Sequence, residues 1–255
     1  MNYFDPEDAA KRYSIGRPYF HQNTIRKVKE QLQIDQLLDK GLDVACGTGL
    51  STKALTEIVS IVHGTDLSDE MLKNAIKDEK IIYQKAIAES QPFLNEFFEI
   101  ITVCSGIHWF DIDKFLNEAY RLLKSNYWLV VYDNFFISEM ENTLLFNNWY
   151  QDVYQQKFPA PKRNNTYDWS RQNMMNKGFA NYYEQNFKNP ISFTRKDLVL
   201  YFTTQSNITN VVESKKEDYS TIELWLDEEL SKFYSDDEEV KTIYFGNWVK
   251  YLQKK

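Results

Sequence analysis

Leu42-Asp43-Val44-Ala45-Cys46-Gly47-Thr48-Gly49 is the stretch of sequence that decides the fold. It opens as a short apolar run, which is typical of a buried strand, and it closes on two glycines separated by one residue. Residues 51–58 follow as a predicted helix. A strand that turns through glycines into a helix indicates the first unit of a parallel α/β sheet.

Strands and helices alternate beyond this stretch. Further strands are predicted at 59–62, 80–84, 97–104 and 127–132, and helices are predicted to begin at Ser68 or Asp69 and at Asp111 or Asp113. Parallel strands need helical crossovers, and these strands are apolar along almost their whole length. We therefore expect a doubly wound sheet, with helices on both faces, up to about Asn134.

The regions that flank this sheet are organised differently. Apolar residues recur with a helical period from Asn23 to Asp39, and Gly41 is the expected C-cap of that helix. From Phe135 to Asn189 most strand signals stop, and Pro159 and Pro161 interrupt the segment. We interpret this segment as a helical insertion. A lid over the sheet edge and a loop-rich elaboration with no role in binding are equal alternatives.

These patterns predict one domain over 1–255. Its parts are an N-terminal helical segment that covers the site (1–40), a cofactor-binding core (41–134), the insertion or lid (135–189) and a C-terminal part that completes the sheet (190–255). In the last two parts, strands are expected at 187–193 and 242–252, and helices at 194–201 and 221–233.

Composition excludes several classes of protein. The net charge of −7 argues against a nucleic-acid surface, which usually needs a basic field. No run of about 18 apolar residues predicts a membrane span, and the first ten residues have no secretory pattern, so we expect a cytoplasmic protein. Two cysteines and three histidines without ligand spacing predict neither a disulfide scaffold nor a metal site.

The glycines indicate where the site lies. Only 8 glycines occur in 255 residues, less than half of the average usage of about 7%. Gly47, Gly49, Gly64 and Gly106 all fall at or near the carboxyl ends of predicted strands, where open α/β sheets bind ligands. Glycine lets the backbone approach a ligand closely. The alternative is that these four are ordinary strand-to-helix turns.

Asp66 is the strongest single candidate residue. It closes the second predicted strand, 19 residues after Gly47, which is near the spacing at which an acidic residue reaches the ribose of a bound nucleotide. A carboxylate accepts two hydrogen bonds from a vicinal diol. Thr52 stands where a dinucleotide-binding motif has its third glycine, which weakens a pyrophosphate-binding interpretation.

Several segments together resemble one family. Residues 42–49, 64–72, 88–93 and 100–110 are similar to the motifs of class I S-adenosylmethionine-dependent methyltransferases of the type 11 kind. Residues 100–110, with Tyr13 to Arg17, Pro18 and Tyr19, resemble the trans-aconitate methyltransferase-like subgroup. The resemblance implies a Rossmann-like, seven-stranded, mostly parallel sheet with one antiparallel strand, and S-adenosylmethionine as the cofactor.

The resemblance also implies roles for single residues. Asp43, Cys46, Gly47 and Gly49 would bind the methionine part of the cofactor, Asp66 its ribose, Leu67, Ala88 and Glu89 its adenine, and Ser105 would offer backbone groups near the methionine amine. Many relatives have Asp where this chain has Ile87, so the adenine amino group would be held by Glu89 or by backbone.

Methyl transfer from a sulfonium mainly needs alignment of donor and acceptor. His108, after the fourth predicted strand, is our candidate general base for a hydroxyl or amine acceptor, and with Trp109 it is a candidate substrate contact. Both could instead simply pack the pocket wall. Tyr13 is a second catalytic candidate, and Arg17 suits an acid group of a small-molecule substrate. A surface helix is the alternative for these two.

Two other functions remain open at this level. The chain could bind S-adenosylmethionine without turning over an acceptor, and nothing in the sequence excludes this. It could also be a nicotinamide-dependent oxidoreductase, although the missing third glycine and the His108-Trp109-Phe110 sequence argue against that function.

Overall fold

The computed structural model describes residues 7–160 and 166–255. In the first half, the elements are α1 (Glu7–Gly16), α2 (His21–Leu32), β1 (Leu38–Val44), α3 (Leu50–Leu55), β2 (Val59–Asp66), α4 (Asp69–Lys73), β3 (Ile81–Lys85), β4 (Phe98–Cys104), a 3₁₀ turn (Ile107–Trp109) and α5 (Ile112–Leu122). The second half contains β5 (Leu123–Met140), α6 (Leu145–Trp149), a π turn (Tyr150–Tyr154), α7 (Gln155–Lys157), α8 (Arg171–Asn176), β6 (Phe179–Phe193), α9 (Arg195–Thr203), α10 (Ser206–Glu213), α11 (Tyr219–Ser231) and β7 (Lys241–Lys254).

The strands form one seven-stranded sheet in the order β3-β2-β1-β4-β5-β7-β6. The four pairings from β3 to β5 are parallel, and the sheet also contains an antiparallel pairing. The predicted α/β, Rossmann-like fold is therefore confirmed. The chain moves outward from β1 to β3 and then resumes on the other side of β1 with β4, so the order reverses between β1 and β4.

Contact clustering divides the chain into two compact units. The larger unit comprises Tyr19–Asn134, Arg163–Phe187 and Asn247–Lys255, and the smaller comprises Met1–Pro18, Phe135–Lys162 and Lys188–Gly246.

Alternate side chains of the central strands belong to two separate apolar clusters in the larger unit. Ile101 and Val103 of β4 belong to a cluster with residues of α5, whereas Ile100 of the same strand packs with residues of α2 and α3. Successive side chains of a strand point to opposite faces of a sheet. Helices therefore cover both faces, and this explains why the strands read as nearly continuous apolar runs.

The smaller unit has its own core, which is rich in aromatic rings. Phe136 is partly buried and packs against this core, with ring centroids 5.3 Å from Phe202 and 5.4 Å from Phe245. The cluster also contains buried residues of α9 and α11, such as Leu198 and Leu226. Much of the chain's high aromatic content is thus core packing.

Two boundary predictions were wrong. The helix predicted to end at Asp39 ends at Leu32, because Gln33 adopts a left-handed conformation with φ 53° and bonds back to the last turn. Gly41 is therefore not a C-cap but lies inside β1, where a Cβ would stand 3.1 Å from side-chain atoms of Val59 and Ile100. The apolar period continued through the loop because residues of both elements enter the same core.

The segment 135–189 contains more strand than the sequence indicated. β5 continues to Met140 and β6 begins at Phe179, while α6, the π turn, α7 and α8 lie between them. Each of the two compact units contains part of this segment. Residues 1–6 and Pro161, on which part of our N-terminal and insertion predictions fell, lie outside the described residues.

Candidate active site

The carboxyl ends of β2, β1 and β4 lie side by side, because these strands are parallel neighbours in the sheet. Open α/β sheets bind ligands outside the carboxyl ends of strands, where the strand order reverses. The loops that follow β1 (45–49), β2 (67–68) and β4 (105–110) therefore form the candidate site, and all three belong to the larger unit.

The loop from β1 to α3 turns through backbone conformations that favour glycine. Gly47 and Gly49 have φ angles of 55° and 82°, and the Gly49 N–H donates to the Cys46 carbonyl at 2.9 Å. A Cβ added to Gly47 would meet no atom within 4 Å. Because this part of the backbone faces open space, a ligand approaches its N–H and C=O groups without a side chain in the way.

The other three glycines that the sequence singled out make room for protein atoms. A Cβ on Gly49 would lie 2.0 Å from the hydroxyl of Tyr83, and one on Gly64 would lie 2.8 Å from the ring of the same tyrosine. A Cβ on Gly106 would lie 2.9 Å from the Cβ of Ala45. Of the four glycines that we expected to face a ligand, only Gly47 has open space where a side chain would be.

Asp66, the last residue of β2, ties two loops of the site together. Its Oδ2 accepts a hydrogen bond from the Gly47 N–H at 2.9 Å, and its Oδ1 accepts one from the Ser68 N–H at 2.8 Å. An ionised carboxylate is acceptor-only, and each of its oxygens can accept more than one hydrogen bond. The structure thus brings together the glycine and the acid that the sequence paired.

Asp43 is completely buried below the glycine loop. Its Oδ2 accepts hydrogen bonds from the hydroxyls of Ser51 at 2.6 Å and Thr52 at 2.7 Å, and its Oδ1 accepts one from Thr102 at 2.9 Å. Burial raises the pKa of this carboxyl to about 6, against the lowering effect of the three hydroxyls. Asp43 therefore connects β1, β4 and the start of α3 beneath the loop.

The residues expected near adenine lie after β2 and β3. Leu67 is half exposed, Ile87 is 47% exposed, and Ala88 is buried. The Glu89 carboxylate accepts a hydrogen bond from the Asp111 N–H at 2.8 Å. Asp111 is the N-cap of α5, so Glu89 already fixes the start of that helix.

Ser105 turns the chain directly after β4. Its φ is 53°, its N–H donates to the Tyr132 carbonyl at 2.9 Å, and its hydroxyl donates to the Asp133 carboxylate at 2.5 Å. The Ser105 N–H is already bonded to β5. The backbone group of Ser105 that the resemblance leads us to expect near the cofactor is therefore its carbonyl.

Two other kinds of feature, a metal site and a membrane-spanning helix, are not found among the described residues. The described residues contain no group of three or more His, Cys, Asp or Glu that could hold a metal ion. Among the described helices, none is long and apolar enough to cross a membrane.

Comparison with known sequences identifies the core. Residues 42–131 match the family model of a methyltransferase domain. This range contains the glycine loop, Asp66 and Ser105, and it covers β1 to the middle of β5. The chain contains an S-adenosylmethionine-dependent methyltransferase domain.

Relatives of this methyltransferase domain occur in distant organisms. A candidate methyltransferase of Dictyostelium discoideum is 22% identical over 212 residues, which cover 82% of this chain and 79% of that protein. A demethylmenaquinone methyltransferase of Bacteroides fragilis is 37% identical over 100 residues, which cover 35% of this chain and 41% of that protein. The chain thus spans about two fifths of the length of the bacterial relative.

The fold has a solved counterpart. A candidate type II methyltransferase from Anaeromyxobacter dehalogenans superposes with a TM-score of 0.69 and 16% identity, over 91% of this chain and 95% of that one. The glycine loop also fits the cofactor of such domains. A Cβ on Gly47 would meet open space, so the loop leaves room for a ligand beside the carboxylate of Asp66.

The substrate-side candidates of the methyltransferase are His108 and Trp109. Both lie in the 3₁₀ turn after β4, and their ring centroids are 4.9 Å apart. His108 is partly buried and Trp109 is 54% exposed. The structure therefore places them at the same edge of the sheet as Ser105, with the indole in contact with solvent.

Tyr13 and Arg17 belong to the smaller unit. The Arg17 guanidinium carbon lies 4.6 Å from the Tyr13 ring centroid and 5.4 Å from that of Tyr201. Its Nη2 donates to the Thr204 carbonyl at 3.2 Å, and its buried Nε has no hydrogen-bond partner among the described residues. In the part of the chain that the structure describes, no carboxylate forms an ion pair with Arg17, in contrast to Arg12, which pairs with Glu213.

Both cysteines of the methyltransferase are free thiols. Burial raises the pKa of the Cys46 and Cys104 thiols above their ordinary values, which keeps them protonated. Cys104 Sγ lies 3.6 Å from His21 Nδ1, and this histidine also lies 3.2 Å from the Tyr132 hydroxyl. His21 thus anchors the start of α2 against β4 and β5.

Sequence reasoning missed three residues around the site. Asp133 holds Ser105, His21 contacts the ends of β4 and β5, and Tyr83 fills the space beside Gly49 and Gly64. Asp133 had a detectable signal, because it is an acid directly after a strongly apolar strand. His21 and Tyr83 had none, since their roles depend on packing between elements.

Proposed function

We propose that this methyltransferase transfers a methyl group to a small-molecule acceptor that carries an acid group. The observation that supports the donor side is the pair of hydrogen bonds by which Asp66 joins the Gly47 and Ser68 backbone. This arrangement presents a carboxylate and an open stretch of backbone to one nucleoside. Asp43, from below, fixes the start of α3 and thereby the shape of the loop.

Specific cofactor contacts are part of this proposal. Gly47 would contact the methionine part, with Cys46, Gly49 and Ser105 shaping the surrounding turns. Asp66 would bind the ribose hydroxyls, and Leu67 and Ala88 would contact the adenine. Glu89 remains our candidate for the adenine edge, although its Oε1 also holds the Asp111 N–H.

When bound, S-adenosylmethionine supplies a methyl group on a positively charged sulfur, which is already activated for transfer. The protein therefore contributes mainly alignment, which supplies roughly 7–11 kcal/mol in well-oriented reactions. An acceptor carboxylate is ionised at neutral pH and needs no base. A hydroxyl or amine acceptor would need one, and His108 is the residue we propose for that role.

Arg17 supports the acid acceptor, by analogy with the trans-aconitate methyltransferase-like subgroup. Its guanidinium is stacked on two tyrosine rings and has no carboxylate partner within the described residues. Among the described residues, its Nη2 donates one hydrogen bond, to a backbone carbonyl, whereas a guanidinium has five N–H donors in a fork that matches a carboxylate. Arg17 would bind the acid group, with Tyr13 packing on the same guanidinium.

The proposal is tested by a screen of small carboxylic acids, phenols and amines with a donor labelled in its methyl group. Label in an acid product supports the acid acceptor. Label only in phenols or amines contradicts the acid acceptor and supports His108 as a general base. Binding of the donor with no labelled product in any class supports a cofactor-binding protein without turnover, which is the second candidate function.

Arg17→Gln is expected to raise the KM for the acid acceptor about 10- to 100-fold, because one charge-assisted, bidentate pair is lost. Its Kd for S-adenosylmethionine should stay within twofold of the parent value. Arg12→Gln is the matched control, since Arg12 lies in α1, five residues before Arg17, but already pairs with Glu213. Equal KM values for the two variants would remove Arg17 from acceptor binding.

His108→Ala separates two roles of the histidine. With a hydroxyl or amine acceptor, loss of a general base should lower kcat at least 100-fold, whereas with a carboxylate acceptor the loss should be under about threefold. The donor Kd, measured by calorimetry, serves as the control for pocket damage. A 100-fold loss of kcat on a carboxylic acid would contradict the base-free mechanism.

The partner range follows from the charge of the chain. The net charge of −7 supports a small-molecule substrate rather than a nucleic acid.

A further inference from the structure

The side chain of Tyr83 packs against two glycines near the site, Gly49 and Gly64. It belongs to β3, at the edge of the sheet, and pairs with Gly64 of β2. An added Cβ on Gly64 would stand 2.8 Å from two carbon atoms of the ring, a distance that real Cβ atoms essentially never show. The ring therefore lies against β2 at Gly64, two residues before Asp66.

The other end of the same side chain reaches the glycine loop. A Cβ on Gly49 would stand 2.0 Å from the Tyr83 hydroxyl and 2.9 Å from the ring carbon that bears it. Thus no side chain fits at position 49 while the tyrosine is in place. One residue contacts both the strand that ends in Asp66 and the loop that contains Gly47.

Tyr83 fills this space as a neutral group. Burial, the largest cause, raises the pKa of its hydroxyl well above the ordinary value, and the negative charge of the Asp43 carboxylate acts in the same direction. The side chain therefore carries no charge that contacts the ligand, and its contribution is the shape of the ring.

We propose that Tyr83 is a positioning residue of the cofactor site, a wedge that sets the spacing between Asp66 and the glycine loop. The inference rests on the proposed placement of the cofactor at Gly47 and Asp66. It explains why the chain has glycine at position 64, and it adds a steric reason to the φ angle that already favours glycine at position 49. These two glycines accommodate the wedge, and the wedge shapes the loop.

The test is a double-mutant cycle between positions 83 and 64, with S-adenosylhomocysteine as the calorimetric probe. Tyr83→Ala is expected to raise the Kd at least tenfold, and so is Gly64→Ala, whose methyl group displaces the ring. In the double variant, the Kd should be within twofold of that of Tyr83→Ala, because the ring that the methyl group displaces is absent. The remaining close contact at position 64 is Cys46 Sγ at 3.2 Å.

Two variants on β3 identify the cause of the change. Tyr83→Phe keeps the ring and should restore the Kd to within threefold of the parent value. Ile82→Ala is the matched control, because the neighbouring side chain is half exposed and points to the other face of the strand. If Tyr83→Ala does not fold, Tyr83→Leu replaces it in the cycle.

Additive Kd changes in the cycle would overturn the wedge, as would Tyr83→Ala with the parent Kd. An effect of Ile82→Ala equal to that of Tyr83→Ala would also overturn it, because the cause would then be general damage to β3. The melting temperatures of the four proteins report the steric coupling without any ligand. Non-additive melting temperatures would therefore support the contact between Tyr83 and Gly64 even if an unchanged Kd in Asp66→Ala refuted the proposed cofactor site.

Discussion

Asp66→Ala is expected to weaken S-adenosylmethionine binding about 100-fold, which corresponds to roughly 3 kcal/mol. The substitution removes the acceptor for the ribose hydroxyls, and hydrogen bonds to a charged group contribute about 1.5–3 kcal/mol each. It also leaves the Gly47 and Ser68 N–H groups without their acceptor, so the glycine loop loses its link to β2. Calorimetric titration of donor and product measures the loss directly.

Asp69→Ala is the control for this measurement. Asp69 lies three residues later, is exposed and forms an ion pair with Lys85, so its removal should change the Kd less than twofold. Asp66→Asn should give an intermediate Kd, because an amide keeps one acceptor oxygen and loses the charge. An unchanged Kd in Asp66→Ala would falsify the assignment of the ribose to this carboxylate.

Asp43→Asn is expected to show the second large effect, and the effect depends on pH. Burial raises the pKa of the Asp43 carboxyl to about 6 in the folded protein, against an ordinary value of 3.8. The folded state therefore binds this proton more tightly than the unfolded state. The stability that Asp43 contributes is fully present below about pH 4 and is lost as the pH rises through about 6.

The free energy of unfolding should follow this difference. The advantage of the parent protein over Asp43→Asn should shrink by on the order of 3 kcal/mol between pH 4 and pH 7, since each pKa unit corresponds to about 1.4 kcal/mol. Denaturant titrations of both proteins at pH 4, 5, 6 and 7 provide the measurement. A constant difference, or one that grows with pH, would show that the carboxyl does not have a raised pKa.

The local chemistry of the sequence was sufficient to predict the parallel half of the sheet. The alternation of apolar strands with helices is a short-range pattern, and the turn at 47–49 needs glycine for its φ angles. The pairing of Gly47 with Asp66 was also predictable, because parallel neighbours in a sheet bring their carboxyl ends to one edge. The hydrogen bond between these two residues is the direct consequence.

Features that depend on packing between distant elements were not predictable in this way. Gly64 looked like a ligand contact, yet its missing side chain makes room for Tyr83. Asp43 looked like a lining residue, yet it is enclosed by three hydroxyls. The end of α2 was missed because a left-handed Gln33 carries no sequence signal of its own.

The division of the chain into interleaved segments has a consequence for biosynthesis. The final nine residues, Asn247–Lys255, belong to the larger unit, and β7 stands between β5 and β6 in the sheet. While the ribosome is still extending the nascent polypeptide, β5 lacks its neighbour, and β6 has emerged about fifty residues before the strand it pairs with. Completion of the sheet therefore waits until β7 has been synthesised, and the exposed edge of β5 is the feature that a chaperone would need to shield in the meantime.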